Sequence, residues 1–144
     1  MKKNGTMVEL IQNDLAEKED LNCSETILHA ANRVYNLNLS PEALRMASGF
    51  GGGMGVQQTC GVITGGLMAL SVLFIKERAH ESDYLKGLEK ELFHDIKAKV
   101  GSTDCSYLKE RYEDSKGSCK PLIIEIGAIL EALIDRELTK AGRM

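Results

Sequence analysis

Residues 60–75 read CGVITGGLMALSVLFI, the longest apolar run in a chain of 144 residues. Wound as a helix, the run puts apolar side chains on nearly every face, so it has no side to show to water. It is too short to span a bilayer, which takes about 20 residues. The reading is a helix over 59–77 buried at the centre of a domain. Gly61, Gly65 and Gly66 lie inside it. Each costs up to about 1 kcal/mol relative to Ala in a helix, so each marks a close approach by another element.

Outward from this run the apolar spacing stays helical. Val8, Ile11 and Leu15 set a helix over 6–18, and Ile27, Ala31 and Val34 set one over 23–36. Ser40 is a capping residue and Pro41 suits a first helical turn, which predicts a short helix over 41–48. Leu85, Leu88, Leu92 and Ile96 stripe a helix over 81–99, and 104–114 reads as a short polar helix. Leu122, Ile126, Ile129 and Leu133 stripe 119–140, with Leu130 and Leu138 off phase. No segment alternates with a period of two. The expected fold is all-α: a compact bundle of about six or seven helices around the hydrophobic helix 59–77. The length predicts a single domain over 1–144. Within it, 1–20 is a peripheral N-terminal helix, 21–121 holds the four cysteines, and 119–144 is the C-terminal helix.

The chain has 18 basic and 21 acidic residues, a net charge of −3, with the signs interleaved. A nucleic-acid binder would show a basic stripe, and 5% aromatics with no Trp leaves little for base-stacking platforms. Residues 1–20 lack the apolar core of a secretory signal. The expected protein is cytoplasmic, binds no nucleic acid and enters no membrane. In a reducing compartment, four cysteines point to metal or redox chemistry more than to structural disulfides.

Those cysteines are Cys23, Cys60, Cys105 and Cys119, and no two are close in sequence. Without a CxxC there is no thioredoxin motif, zinc ribbon or ferredoxin run, so any shared site has to be assembled by the fold. Asn22, Thr59, Asp104 and Ser118 precede the four, all of them helix-capping types. The pattern predicts a cysteine in the first turn of each of four helices. There the unpaired N–H groups and partial positive charge favour thiolate over thiol.

Residues 49–55 read GFGGGMG, just ahead of Cys60. No Gly-Lys-Ser/Thr follows, so the loop is not a P-loop. Its backbone can approach an anion or cluster closely, which makes Gly52, Gly53, Gly55 and Gly61 candidate cofactor-binding positions. His29, His80 and His94 read as packed or solvated side chains. No Glu-x-x-His pair supports a di-iron site.

The stretch Cys60-Gly61-Val62-Ile63-Thr64-Gly65, with Cys23, Cys105 and Cys119 around it, resembles the C_GCAxxG_C_C family of redox-active proteins over about Leu21 to Pro121. Val62 stands where the family has Ala. The resemblance implies a redox role without fixing a reaction. A similar cysteine arrangement in split-Soret cytochromes implies a two-iron cluster. No CxxCH is present for covalent haem.

Three functions are open on the residues. In the first, Cys23, Cys60, Cys105 and Cys119 are ligands of a small iron–sulfur cluster, or of another thiophilic metal such as zinc, used in electron transfer or redox sensing. A sample handled in air would lose such a group. In the second, no metal is bound and thiol–disulfide exchange is catalytic: Cys60 attacks, Cys105 or Cys119 resolves, and Cys23 completes the set. In the third, the cysteines pack in a helical interaction protein. The expected partner is another redox protein, with a homodimer left open.

Overall fold

In the computed structural model, which describes residues 1–144, these periodicities become eight helices. They are α1 (Met7–Gln12), α2 (Leu15–Glu19), α3 (Cys23–Val34), α4 (Pro41–Arg45), α5 (Gly61–Phe74), α6 (Tyr84–Val100), α7 (Cys105–Tyr112) and α8 (Lys120–Lys140). The fold is all-α, with one isolated antiparallel bridge between Thr59 and Asp104.

The apolar run forms α5 at the centre, packed on α3, α6 and α8. Ile63, Ala69 and Leu70 are fully buried, whereas Val72 is 45% exposed, so one side of α5 does reach solvent. The helix is shorter than 59–77. Thr59 is held in the bridge, Cys60 is the N-cap, and Ile75 leaves the helix in extended conformation.

Gly65 explains the intimacy of α3 and α5. A Cβ there would lie 2.5 Å from the Ser24 carbonyl oxygen, so no side chain fits. At Gly66 the contact is looser: a Cβ there would lie 3.2 Å from the Leu130 side chain of α8.

The expected helix over 6–18 breaks in two, which gives eight helices rather than six or seven. Asp14 takes a left-handed backbone (φ 67°), a conformation that short polar side chains tolerate. Met7, Ile11 and Leu15 all remain buried across the break. In α8, Leu130 and Leu138 are buried although off phase, because α1, α5 and α6 flank this helix from several sides.

The N-terminus of α1 is closed by a carboxylate from α8. Glu131 accepts from the Met7 N–H (2.9 Å) and the Val8 N–H (3.3 Å) and pairs with Lys3 (2.8 Å). Beside it the Tyr35 hydroxyl donates to Asp135 (2.7 Å). No helix is long and apolar enough to cross a membrane.

Candidate cysteine site

Each cysteine stands at the start of a different helix. Cys23 and Cys105 are the first residues of α3 and α7; Cys60 and Cys119 are the N-caps of α5 and α8. The preceding residues do less uniform work than the sequence suggests. Asn22 builds a full capping box: its side chain accepts from Glu25 N–H (2.9 Å), and Glu25 accepts from Asn22 N–H (3.1 Å). Asp104 caps α7 by position only, with no side-chain bond, and Thr59 and Ser118 lie one residue before the cap.

Thr59 and Asp104 instead form the bridge. Cys60 N–H donates to Thr103 O (2.9 Å) and Cys105 N–H donates to Gln58 O (2.5 Å). The first turns of α5 and α7 are thereby clasped to one another.

Glycines seat two of the thiols. A Cβ on Gly61 would collide with the Cys23 sulfur, and one on Gly53 would lie 2.7 Å from Cys105 Cβ. Gly53 has a left-handed backbone as well (φ 62°). Gly52 and Gly61 line the cavity described next, whereas the Cβ position of Gly55 meets nothing within 4 Å. Spacing alone does not distinguish a glycine that seats a sulfur from one that faces open space.

All four cysteines line one cavity of about 260 Å³. Its walls are apolar at Ile11, Leu21, Val62, Leu108, Leu122 and Ile123, and Glu17, Lys109, Glu113 and Lys120 also line it. All four cysteines are free thiols. No three His, Cys, Asp or Glu side chains are gathered into a cage for one metal ion. Four soft sulfur donors, with the carboxylates of Glu17 and Glu113 nearby, are the donor chemistry of a thiophilic group.

Helix N-termini were expected to favour thiolate here, and for three of the cysteines the balance goes the other way. Burial pushes Cys60 up to about 12, against the opposing pull of the Val62 and Ile63 N–H groups, with Cys23 and Cys105 adding repulsion. Burial likewise raises Cys119 to about 11, and Glu113, Cys23 and Cys105 push it further. Cys105 is raised by burial and by Cys23. Lys109 pulls both Cys105 and Cys119 down, while its ion-pair partner Glu113 (3.5 Å) pushes both up. The helix-end effect is present, but loss of water and the crowding of like charges outweigh it.

His29 is half-buried, and burial lowers its pKa. His94 is exposed beside Asp95. No histidine lines the cavity. Sequence reasoning missed Lys109, Glu113, Glu17 and Lys120, whose charges in the sequence look like any solvated helix face.

A family profile described as "Putative redox-active protein (C_GCAxxG_C_C)" matches residues 21–133, a span that contains all four cysteines and most of the cavity. No curated protein and no solved structure matches the chain.

Proposed function

The chain belongs to the C_GCAxxG_C_C family of redox-active proteins, and from that premise we propose that Cys23, Cys60, Cys105 and Cys119 jointly hold a small iron–sulfur cluster, of the two-iron kind, with which the protein carries or senses electrons. The observation that carries the reading is the convergence of four distant thiols on one cavity, each from the N-terminal end of its own helix. When bound, such a group supplies one-electron transfer.

The chain does the rest. Gly61 and Gly53 set the depth of Cys23 and Cys105, and the Thr59–Asp104 bridge fixes Cys60 relative to Cys105. The Val62 and Ile63 N–H groups bond the Cys60 sulfur, a contact that tunes the potential of sulfur-ligated iron. The apolar walls shield the sulfurs in part from solvent, most fully at Cys60. Bringing iron to the thiols displaces their protons, so loading is accompanied by proton release.

Metal-free thiol–disulfide exchange is the weaker reading. Its nucleophile, Cys60, is 3% exposed and holds its proton up to about pH 12. A reactive thiol needs access and a lowered pKa.

Anaerobic purification tests the proposal. The protein is expected to be coloured, with iron and acid-labile sulfide in equal amounts. Replacing any one cysteine by Ala should remove both without loss of helicity. Anaerobic protein free of iron and sulfide would end this reading.

A further inference from the structure

One wall of the thiol cavity comes from outside the family-matched span. Ile11, Ala16 and Glu17 line it from α1 and α2, ahead of residue 21. The two helices are held very differently. Met7 and Ile11 anchor α1 in the core, and Glu131 takes its first N–H groups. α2 has five residues, of which only Leu15, at its first position, is buried.

Both ends of α2 are backbone bends. Asp14 (φ 67°) and Asp20 (φ 55°) are left-handed without being glycine. Two ion pairs tie the segment down. Asp14 binds Lys120, the residue after Cys119, and Glu19 binds Arg33 of α3. Between them Ala16 and Glu17 close one side of the cavity whose other walls carry the thiols.

We propose that α2 is a lid over the four-thiol cavity, bounded by the left-handed turns at Asp14 and Asp20 and latched by the Asp14–Lys120 and Glu19–Arg33 ion pairs. Opening it widens the mouth beside Cys119 and admits the group that the thiols hold, while Cys60 stays in the core. The proposal takes the cavity as the working site, as the cluster reading does, but it does not require a cluster. A surface ion pair is a weak enough latch to break and re-form readily.

The test uses the reduced, metal-free full-length protein. Iodoacetamide alkylation at pH 8 is followed cysteine by cysteine by mass spectrometry, for wild type, Asp14→Asn and Lys120→Met. A lid predicts that both variants speed alkylation of Cys23, Cys105 and Cys119, by about two- to fivefold for loss of a surface ion pair. Charge alone predicts opposite signs. Asp14→Asn frees a cation near Cys119 and speeds reaction there, whereas Lys120→Met removes the cation and slows it. Opposite signs, or no change, would overturn the lid.

Should either variant lose helicity, amide exchange on the wild type decides. Lys18 and Leu21 N–H, bonded to Asp14 O and Ala16 O, should exchange well before Ile11 and Ile27, through an opening insensitive to global stability. Exchange of Lys18 and Leu21 only by global unfolding would overturn the proposal. A protein that never carries iron refutes the cluster and leaves these outcomes unaffected.

Discussion

Around the C-terminal half of α8, buried polar groups find their partners inside the chain. Glu131 is shared by two N–H groups and Lys3, Tyr35 donates to Asp135, and Glu137 is bonded by Tyr84 and Arg136. Around its N-terminal end, four thiols face a cavity, three with pKa values raised by burial and like-charge repulsion. The first region is complete as folded. The second gathers groups that repel as thiolates, and the pull of Lys109 on Cys105 and Cys119 is opposed by its partner Glu113 and outweighed by burial. The cluster proposal rests on that contrast: a bound group would give the four thiols the partner that the chain gives its polar groups at the other end.

The contrast breaks most visibly at Glu131. Glu131→Ala strips the Met7 and Val8 N–H groups of their acceptor and Lys3 of one of its two partners. We expect a loss of about 3 kcal/mol in urea unfolding. Alkylation rates of the cysteines should stay unchanged in the folded variant. A loss below about 1 kcal/mol would mean that the network is not the anchor described here.

At the other end, Gly61→Ala places a methyl group against the Cys23 sulfur. Overpacking of this kind costs about 1–3 kcal/mol. Because the methyl displaces a proposed ligand, iron content under anaerobic conditions should fall further than stability does. Gly55→Ala, whose Cβ position is open, should spare the iron; its left-handed backbone (φ 74°) still costs some stability.

Alkali sharpens the comparison. A thiol in the unfolded chain titrates near pH 8.5, while folded Cys119 and Cys60 hold their protons to about 11 and 12. A raised folded pKa contributes stability that is whole below the unfolded value and drains away as pH rises towards the folded one. The metal-free protein should therefore weaken from about pH 8.5 upward, by at most about 1.4 kcal/mol per pH unit per thiol. Tyr35, also raised, chiefly by burial and then by Asp135, adds its own loss only above about pH 10. Cys60→Ala should flatten the curve between pH 8.5 and 10, and Tyr35→Phe only beyond it. Urea unfolding across pH 7.5–10.5 separates the two, and a curve that stays flat to pH 10 would contradict the burial of Cys60.

Much of this was legible from the chain. The all-round apolar character of 60–75 pointed to a central helix, and the expectation of a cysteine in each of four first turns holds for Cys23 and Cys105, while Cys60 and Cys119 lie one residue earlier, as N-caps. Two kinds of fact were not legible. The break at Asp14 depends on one residue accepting a left-handed backbone so that Ile11 and Leu15 can both reach the core, a tertiary choice that helical spacing does not reveal. The raised pKa values depend on how deeply the thiols are buried and on which other sulfurs stand nearby. A helix end is visible as a local pattern; the desolvation that outweighs it comes from elements distant in sequence, such as the clasp between Thr59 and Asp104.

The smallest expected effects discriminate most finely between the two regions. Tyr35 and Ser24 are both fully buried side chains carrying a hydroxyl. Tyr35 donates to Asp135 at 2.7 Å, so Tyr35→Phe removes a hydrogen bond to a charged acceptor and should cost about 1–2 kcal/mol. Ser24 follows Cys23, and its Oγ is the one buried side-chain oxygen or nitrogen without a partner. Its oxygen was desolvated on folding and received nothing in return. Ser24→Ala removes that unpaired group from the tight α3–α5 contact, where Oγ lies 3.1 Å from the Cβ position of Gly65. The change should be neutral within about 0.5 kcal/mol, or stabilising. Thermal unfolding of the two variants side by side measures the difference. If Ser24→Ala costs as much as Tyr35→Phe, the serine has a partner after all, and the cysteine end satisfies its polar groups from within just as the far end does.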